Sequence, residues 1–164
     1  MKTNATRQLD KLRIVYELRD YAVEANDLSA PRVASQIGLP VNQVFKTLCA
    51  KGDTGAIVLA VVPGDGELDL KALARLSGSR RMELVLVSQL QTLTGYVRGG
   101  VTALACKKNY PVYIDESALR HAVIAVSAGV RGTQILLAPT DYVRATEATV
   151  GSIARLPSAP SNNT

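Results

Sequence analysis

The chain has 164 residues, 47% hydrophobic and 20% charged, which fits one globular domain with a sizeable core. Its most apolar run, Ala56 to Val62, is far below the ~20 residues that a membrane-spanning helix requires. The net charge of +5 is uneven: Lys71 to Tyr113 holds seven basic residues against Glu83 alone, a pattern that suits a polyanionic partner or a solvated basic face.

The elements are predicted in chain order as follows. Thr6 to Leu18 places Leu9, Leu12 and Ile14 among charges and predicts an amphipathic helix. Ser29-Ala30-Pro31 opens a second helix, with Ser29 as cap, and Gly38 closes it. Asn42 to Val44 forms a helical turn, and Phe45 begins a strand. Ala56 to Val62 is a buried strand that the Asp53-Thr54-Gly55 turn folds back onto the Lys46 strand as a hairpin. Pro63-Gly64-Asp65-Gly66 is loop, and Asp69 caps a helix that runs through Leu76 and ends at Gly78. Ser88 to Leu93 is a short helix. Strands follow at Val112 to Asp115, Ala122 to Val126 and Gln134 to Leu137, and a last helix runs from the Asp141 cap to about Ala148. Ser127 to Gly132 suits a hairpin between two of these strands. The expected fold is mixed α/β (α+β): one domain over residues 1–155, a largely antiparallel or mixed sheet and short helices, with a flexible tail over 156–164. Regular βαβ alternation is missing, which argues against a doubly wound nucleotide fold. Nothing in the first residues suggests a secretory leader, so the cytoplasm is the expected location and Cys49 and Cys106 are read as free thiols.

Most familiar chemistries lack their residues. One histidine, His121, and no paired-cysteine motif leave no metal site, and no cofactor motif is present. No Gly-x-Ser-x-Gly elbow occurs, and Val101 stands where a phosphate-binding loop needs lysine. What remains is Phe45-Lys46-Thr47 at the head of an apolar strand and the Gly99-Gly100 pair. The lysine either faces solvent or is kept for a ligand; the glycines are either a tight turn or bare backbone donors.

Taken in order, Phe45-Lys46-Thr47-Leu48, Thr94-Gly95-Tyr96-x-x-Gly99-Gly100, Cys106-Lys107-Lys108, Ile114 to Leu119, Val126-Ser127-x-Gly129-x-Arg131-Gly132 and Ala138-Pro139-x-Asp141 resemble the YbaK/EbsC family. That family contains the bacterial Cys-tRNA(Pro) deacylases and is similar to the editing domain of bacterial prolyl-tRNA synthetases. The resemblance covers residues 5 to about 150. It implies a barrel-like sheet and a trans-editing aminoacyl-tRNA deacylase acting on Cys-tRNA(Pro), with Ala-tRNA(Pro) editing or tRNA binding without catalysis as alternatives. It further implies an aminoacyl-tRNA partner, a prolyl-tRNA synthetase as candidate second partner, and no DNA, membrane or cofactor; a monomer is expected. The functional positions it implies are Lys46, Gly99, Gly100 and Asp141 for catalysis, and Tyr21, Phe45, Thr47, Ser127 and Gly129 for substrate binding. The chain departs from the family at Ala128 and Val130, where Gly-Gly-Lys-Arg-Gly is usual, and across Thr102 to Lys108, where Ser-Pro-Leu-Gly-Gln-Lys-Lys is usual.

Overall fold

The structure, a computed structural model, describes residues 2–157, so most of the tail expected from Leu156 lies outside the described residues. The first helix, α1 (Asn4–Lys11), starts with a reciprocal cap: the Thr3 hydroxyl accepts from the Thr6 N–H, and the Thr6 hydroxyl accepts from the Thr3 N–H. It stops seven residues before the expected end. Arg13 takes a left-handed φ of 57°, Ile14 turns into the core, and Glu17–Asp20 forms β1, with Glu17 opposite Leu136 and Asp20 opposite Thr133. A charged edge strand of this kind carries no apolar alternation to mark it in the sequence.

The segment after β1 leads into α2 (Ala30–Ile37), which ends on Gly38 at φ 76° as anticipated. Ser29 holds the N-cap position, but its hydroxyl makes no capping bond; its own N–H donates instead to Asp27 Oδ1 at 3.1 Å. A 3-10 turn at Val41–Gln43 then delivers β2 (Phe45–Gly52). β2 folds back on β3 (Ile57–Pro63) in the expected hairpin, with Lys46 opposite Val62. Beyond it come β4 (Glu67–Leu68), α3 (Leu70–Ser77, capped by Asp69), β5 (Met82–Leu84), a 3-10 turn at Val87–Gln89 and α4 (Leu90–Thr94). The rest of the chain supplies β6 (Val112–Asp115), β7 (Ile124–Ser127), β8 (Thr133–Leu137), α5 (Pro139–Thr146), β9 (Thr149–Gly151) and β10 (Ala154–Arg155). Ala138, not Asp141, is the N-cap of α5, because Pro139 already opens the helix; Asp141 lies in its first turn.

Three separate sheets result: a mixed five-stranded sheet in the order β5-β2-β3-β6-β9, an antiparallel β1-β8-β7 sheet and a β10-β4 pair. The mixed α+β domain is as expected; the barrel is not. No sheet closes on itself, and the large sheet keeps two edges, β5 and β9. Between the two larger sheets runs a bridge of Val44 with Ala125. β3 is buried on both faces: Leu59 and Val61 pack with Phe45, Ile114 and Ile135 on one side, while Val58, Ala60 and Val62 pack with Leu73 and Ile153 on the other. That explains its unbroken apolar run.

Asp115 ties the C-terminal strands to this frame. Its carboxylate is 2% exposed and accepts from the backbone N–H groups of Ser117, Ile153 and Ala154 at 3.1, 2.9 and 2.9 Å. Asp115→Ala strands three buried donors and is expected to cost about 3 kcal/mol of stability, read from the urea midpoint, with Asp115→Asn losing less.

Candidate active site

The head of β2, the start of α2, the segment from Leu84 to Leu90, the Arg98–Val101 loop and the inner face of β7 and β8 enclose a cavity of about 390 Å³. A cavity of this size falls in the range of small-molecule sites. Lys46 and Thr47 line it from β2 beside Phe45, Gly99 from the loop, Ser127 from β7 and Tyr21 from the turn after β1. Six of the nine anticipated site residues therefore share one hollow, although Tyr21 and Ser127 are more than a hundred positions apart in the chain.

Lys46 is half-buried and forms no ion pair among the described residues; Arg98, across the cavity wall, is exposed and likewise forms none. No aspartate, glutamate or histidine lines the cavity. Two unpaired cations in a partly desolvated, carboxylate-free cleft give a field that favours an anion. Phe45 is almost fully buried, its ring edge-on to His121 with centroids 6.4 Å apart, so His121 serves packing at the strand end.

The glycine pair divides its duties. Gly100 is buried against the Val130 backbone and its N–H donates to Val97 O at 2.9 Å, so this donor is engaged. The Gly99 N–H has no acceptor among the described residues. Gly99 sits at φ 87°, and a Cβ there would come within 3.3 Å of Arg131 Nε and 3.2 Å of Leu28. The Arg131 Nε donates to Arg98 O at 2.7 Å, fastening this loop to the β7–β8 hairpin. Gly129 lies outside the cavity wall. Its φ of 91° and the Tyr96 ring, 2.9 Å from where a Cβ would stand, exclude a side chain, and its N–H donates to Ser127 Oγ at 3.3 Å. Asp141 also lies outside the wall, with its carboxylate 3.8 Å from Arg144 on the same helix.

Three contributors were not anticipated. Arg98 was legible only as part of the basic segment. Gln134, 5% exposed, lines the cavity from β8, and a lone amide in the run Thr133 to Leu137 was the only signal for it. Cys49 lines the cavity as well, but burial pushes its thiol up to about 11, so it is protonated at neutral pH and a poor nucleophile. The Tyr142 hydroxyl is fully buried with no hydrogen bond of ordinary geometry, the Thr47 side chain and the Ala103 backbone being its polar neighbours, and burial raises its pKa.

The sequence matches the aminoacyl-tRNA editing domain family over residues 25–145. It is 42% identical over 138 residues, 84% of each chain, to an Enterococcus faecalis protein named "Putative Cys-tRNA(Pro)/Cys-tRNA(Cys) deacylase EbsC". Its fold is similar to that of hypothetical protein APE2540 (TM-score 0.85, 22% identity, 93% of this chain and 100% of that one). It is also similar to that of "a putative trans-editing enzyme for prolyl tRNA synthetase" (TM-score 0.79, 24% identity, 94% and 99%).

The two thiols carry a pH signature. Burial holds Cys49 and Cys106 protonated to about 11, against an ordinary value of 9.0. Between these values the unfolded chain has released protons that the folded chain retains, so stability falls as pH rises from 9 toward 11. The urea midpoint is expected to drop across that window, and a Cys49→Ala/Cys106→Ala variant to show a flatter decline.

Proposed function

The chain belongs to the aminoacyl-tRNA editing domain family, and on that premise we propose that it is a trans-editing deacylase that clears mischarged tRNA, with Cys-tRNA(Pro) as its substrate. One observation carries this reading. Lys46 and the unengaged Gly99 N–H line a single cavity whose wall contains no histidine or carboxylate to activate a protein nucleophile. A reaction there draws its nucleophile from the substrate.

In the proposed step the cysteinyl thiol gives up its proton and the sulfur attacks the ester carbonyl carbon. The cationic field of Lys46 and Arg98 favours the thiolate. Negative charge builds on the carbonyl oxygen, and the Gly99 N–H, open because no side chain blocks approach, donates to it. The carbon–oxygen ester bond then breaks. The departing ribose oxygen takes up the proton that the thiol released to solvent, and cysteine leaves as a four-membered thiolactone that water later opens. Lys46 holds the terminal ribose or its phosphate. Tyr21, Phe45, Thr47 and Ser127 shape the pocket for a small side chain, and Gly129 orients the Ser127 hydroxyl. Gly100 and Asp141 support the loop and helix around the site rather than touching the ester. A prolyl-tRNA synthetase bound to the same tRNA would supply tRNA selection, since one small basic patch neutralises few phosphates.

Ester release from Cys-tRNA(Pro), Ala-tRNA(Pro), Ser-tRNA(Pro) and Pro-tRNA(Pro) tests the assignment. Only the cysteinyl ester, which carries a thiol, is expected to turn over; comparable release of alanine would refute substrate assistance. Lys46→Ala is expected to abolish release with an unchanged far-UV spectrum. Gly99→Ala, through loss of the donor geometry, should lower the rate by ~10²–10³.

A further inference from the structure

Gln134 is the second residue of β8 and stands opposite Ser127 of β7, so both side chains project from the same face of the three-stranded sheet. Both line the cavity. The Gln134 side chain is nineteen-twentieths buried, and its Oε1 has no hydrogen-bond partner. A buried amide oxygen without a donor is destabilising, and a glutamine serving only to pack would be better replaced by leucine or methionine. The terminal torsion of glutamine is soft, so the amide can turn toward the cavity without moving the strand.

The rest of the wall shows what the amide is for. An aminoacyl ester brings an α-amino group whose N–H donors need acceptors once water is displaced. No carboxylate is present to receive them; the side-chain acceptors of the wall are the hydroxyls of Tyr21, Ser29, Thr47 and Ser127, the last already accepting from the Gly129 N–H, and the Gln134 carbonyl, which alone among them is buried with no partner. We infer that Gln134 positions the α-amino group of the bound aminoacyl ester by turning its side-chain carbonyl to accept from it. This inference rests on the aminoacyl-ester reading above. A neutral acceptor has a consequence that a carboxylate would not. It holds the amine without adding negative charge, and so leaves the field of Lys46 and Arg98 undiminished for the sulfur and carbonyl anions.

The experiment compares two esters of tRNA(Pro), cysteinyl and 3-mercaptopropionyl, which share the thiol and differ only in the amino group. The protein as it stands is expected to release the cysteinyl ester faster by on the order of 10–100-fold, the effect of one hydrogen bond to a charged group. Gln134→Leu should bring the cysteinyl rate down to that of the des-amino ester and leave the latter unchanged, while its melting temperature holds or rises. Gln134→Glu, which keeps an acceptor, should retain the preference, and Gln134→Met substitutes for the leucine variant if that one fails to fold. The inference is overturned if the leucine or methionine variant keeps the original ratio, or if both esters slow equally, as a purely structural role would produce. Release of neither ester by the unaltered protein would overturn the deacylase reading itself, and the inference with it.

Discussion

The register of the β2–β3 hairpin is the constraint on which the site depends. Lys46 pairs with Val62, Thr47 with Val61 and Cys49 with Leu59, a register set by the tight Asp53–Gly55 turn. Side chains alternate across a sheet, so a slip of one residue would exchange the faces of Lys46 and Thr47. It would also force the two packed faces of β3 to trade residues. Because β3 is buried on both sides, neither core tolerates that exchange. Packing energy spent on an apolar hairpin thus fixes the direction of one lysine. Hydrophobic burial is non-directional in itself; the pleat converts it into a position.

A second layer of control lies in the two glycine loops. Gly99 and Gly129 adopt left-handed backbone that disfavours other residues, and both stand where a Cβ would meet a neighbouring side chain. Arg131 reaches from the hairpin loop to the carbonyl of Arg98, so the loop bearing the free amide is held by a residue of another element. The position of this loop is therefore fixed by packing; under the proposed reaction, that would spare the Gly99 N–H reorganisation. The departures from the family pattern at Ala128 and Val130 fall in this hairpin. Ala128 is fully buried with its carbonyl accepting from the Thr3 hydroxyl at 2.8 Å, and the backbone of Val130 packs on Gly100. Both departures sit behind the cavity wall.

Around the cavity, stability and function pull apart. The Gln134 carbonyl, buried at the cavity wall with no donor, is unfavourable there. Elsewhere the same protein satisfies a buried polar group completely, as Asp115 does with three backbone donors. Of the four buried side-chain polar atoms without a partner among the described residues, Asp65 Oδ1, Ser117 Oγ, Gln134 Oε1 and Tyr142 Oη, only the Gln134 oxygen belongs to a residue that lines the cavity.

The sequence by itself determined the elements whose signals are local. The closing glycine of α2, the apolar run of β3, the Asp53–Gly55 turn and the Asp69 cap all rest on interactions within a few residues. The ordered motifs likewise marked Lys46, Thr47, Gly99 and Ser127. Tertiary structure decided whatever depends on a distant partner. β1 exists because β8 offers it an edge, although Glu17 to Asp20 reads as a helix end. In the large sheet β6 adds in parallel to β3 and β9 in parallel to β6, pairings with no local code. Gly100 yields its donor to Val97, Asp141 stands outside the cavity wall and Gln134 lines it, each according to where packing places its element. Short-range chemistry names the candidates; the facing of one sheet against another chooses among them.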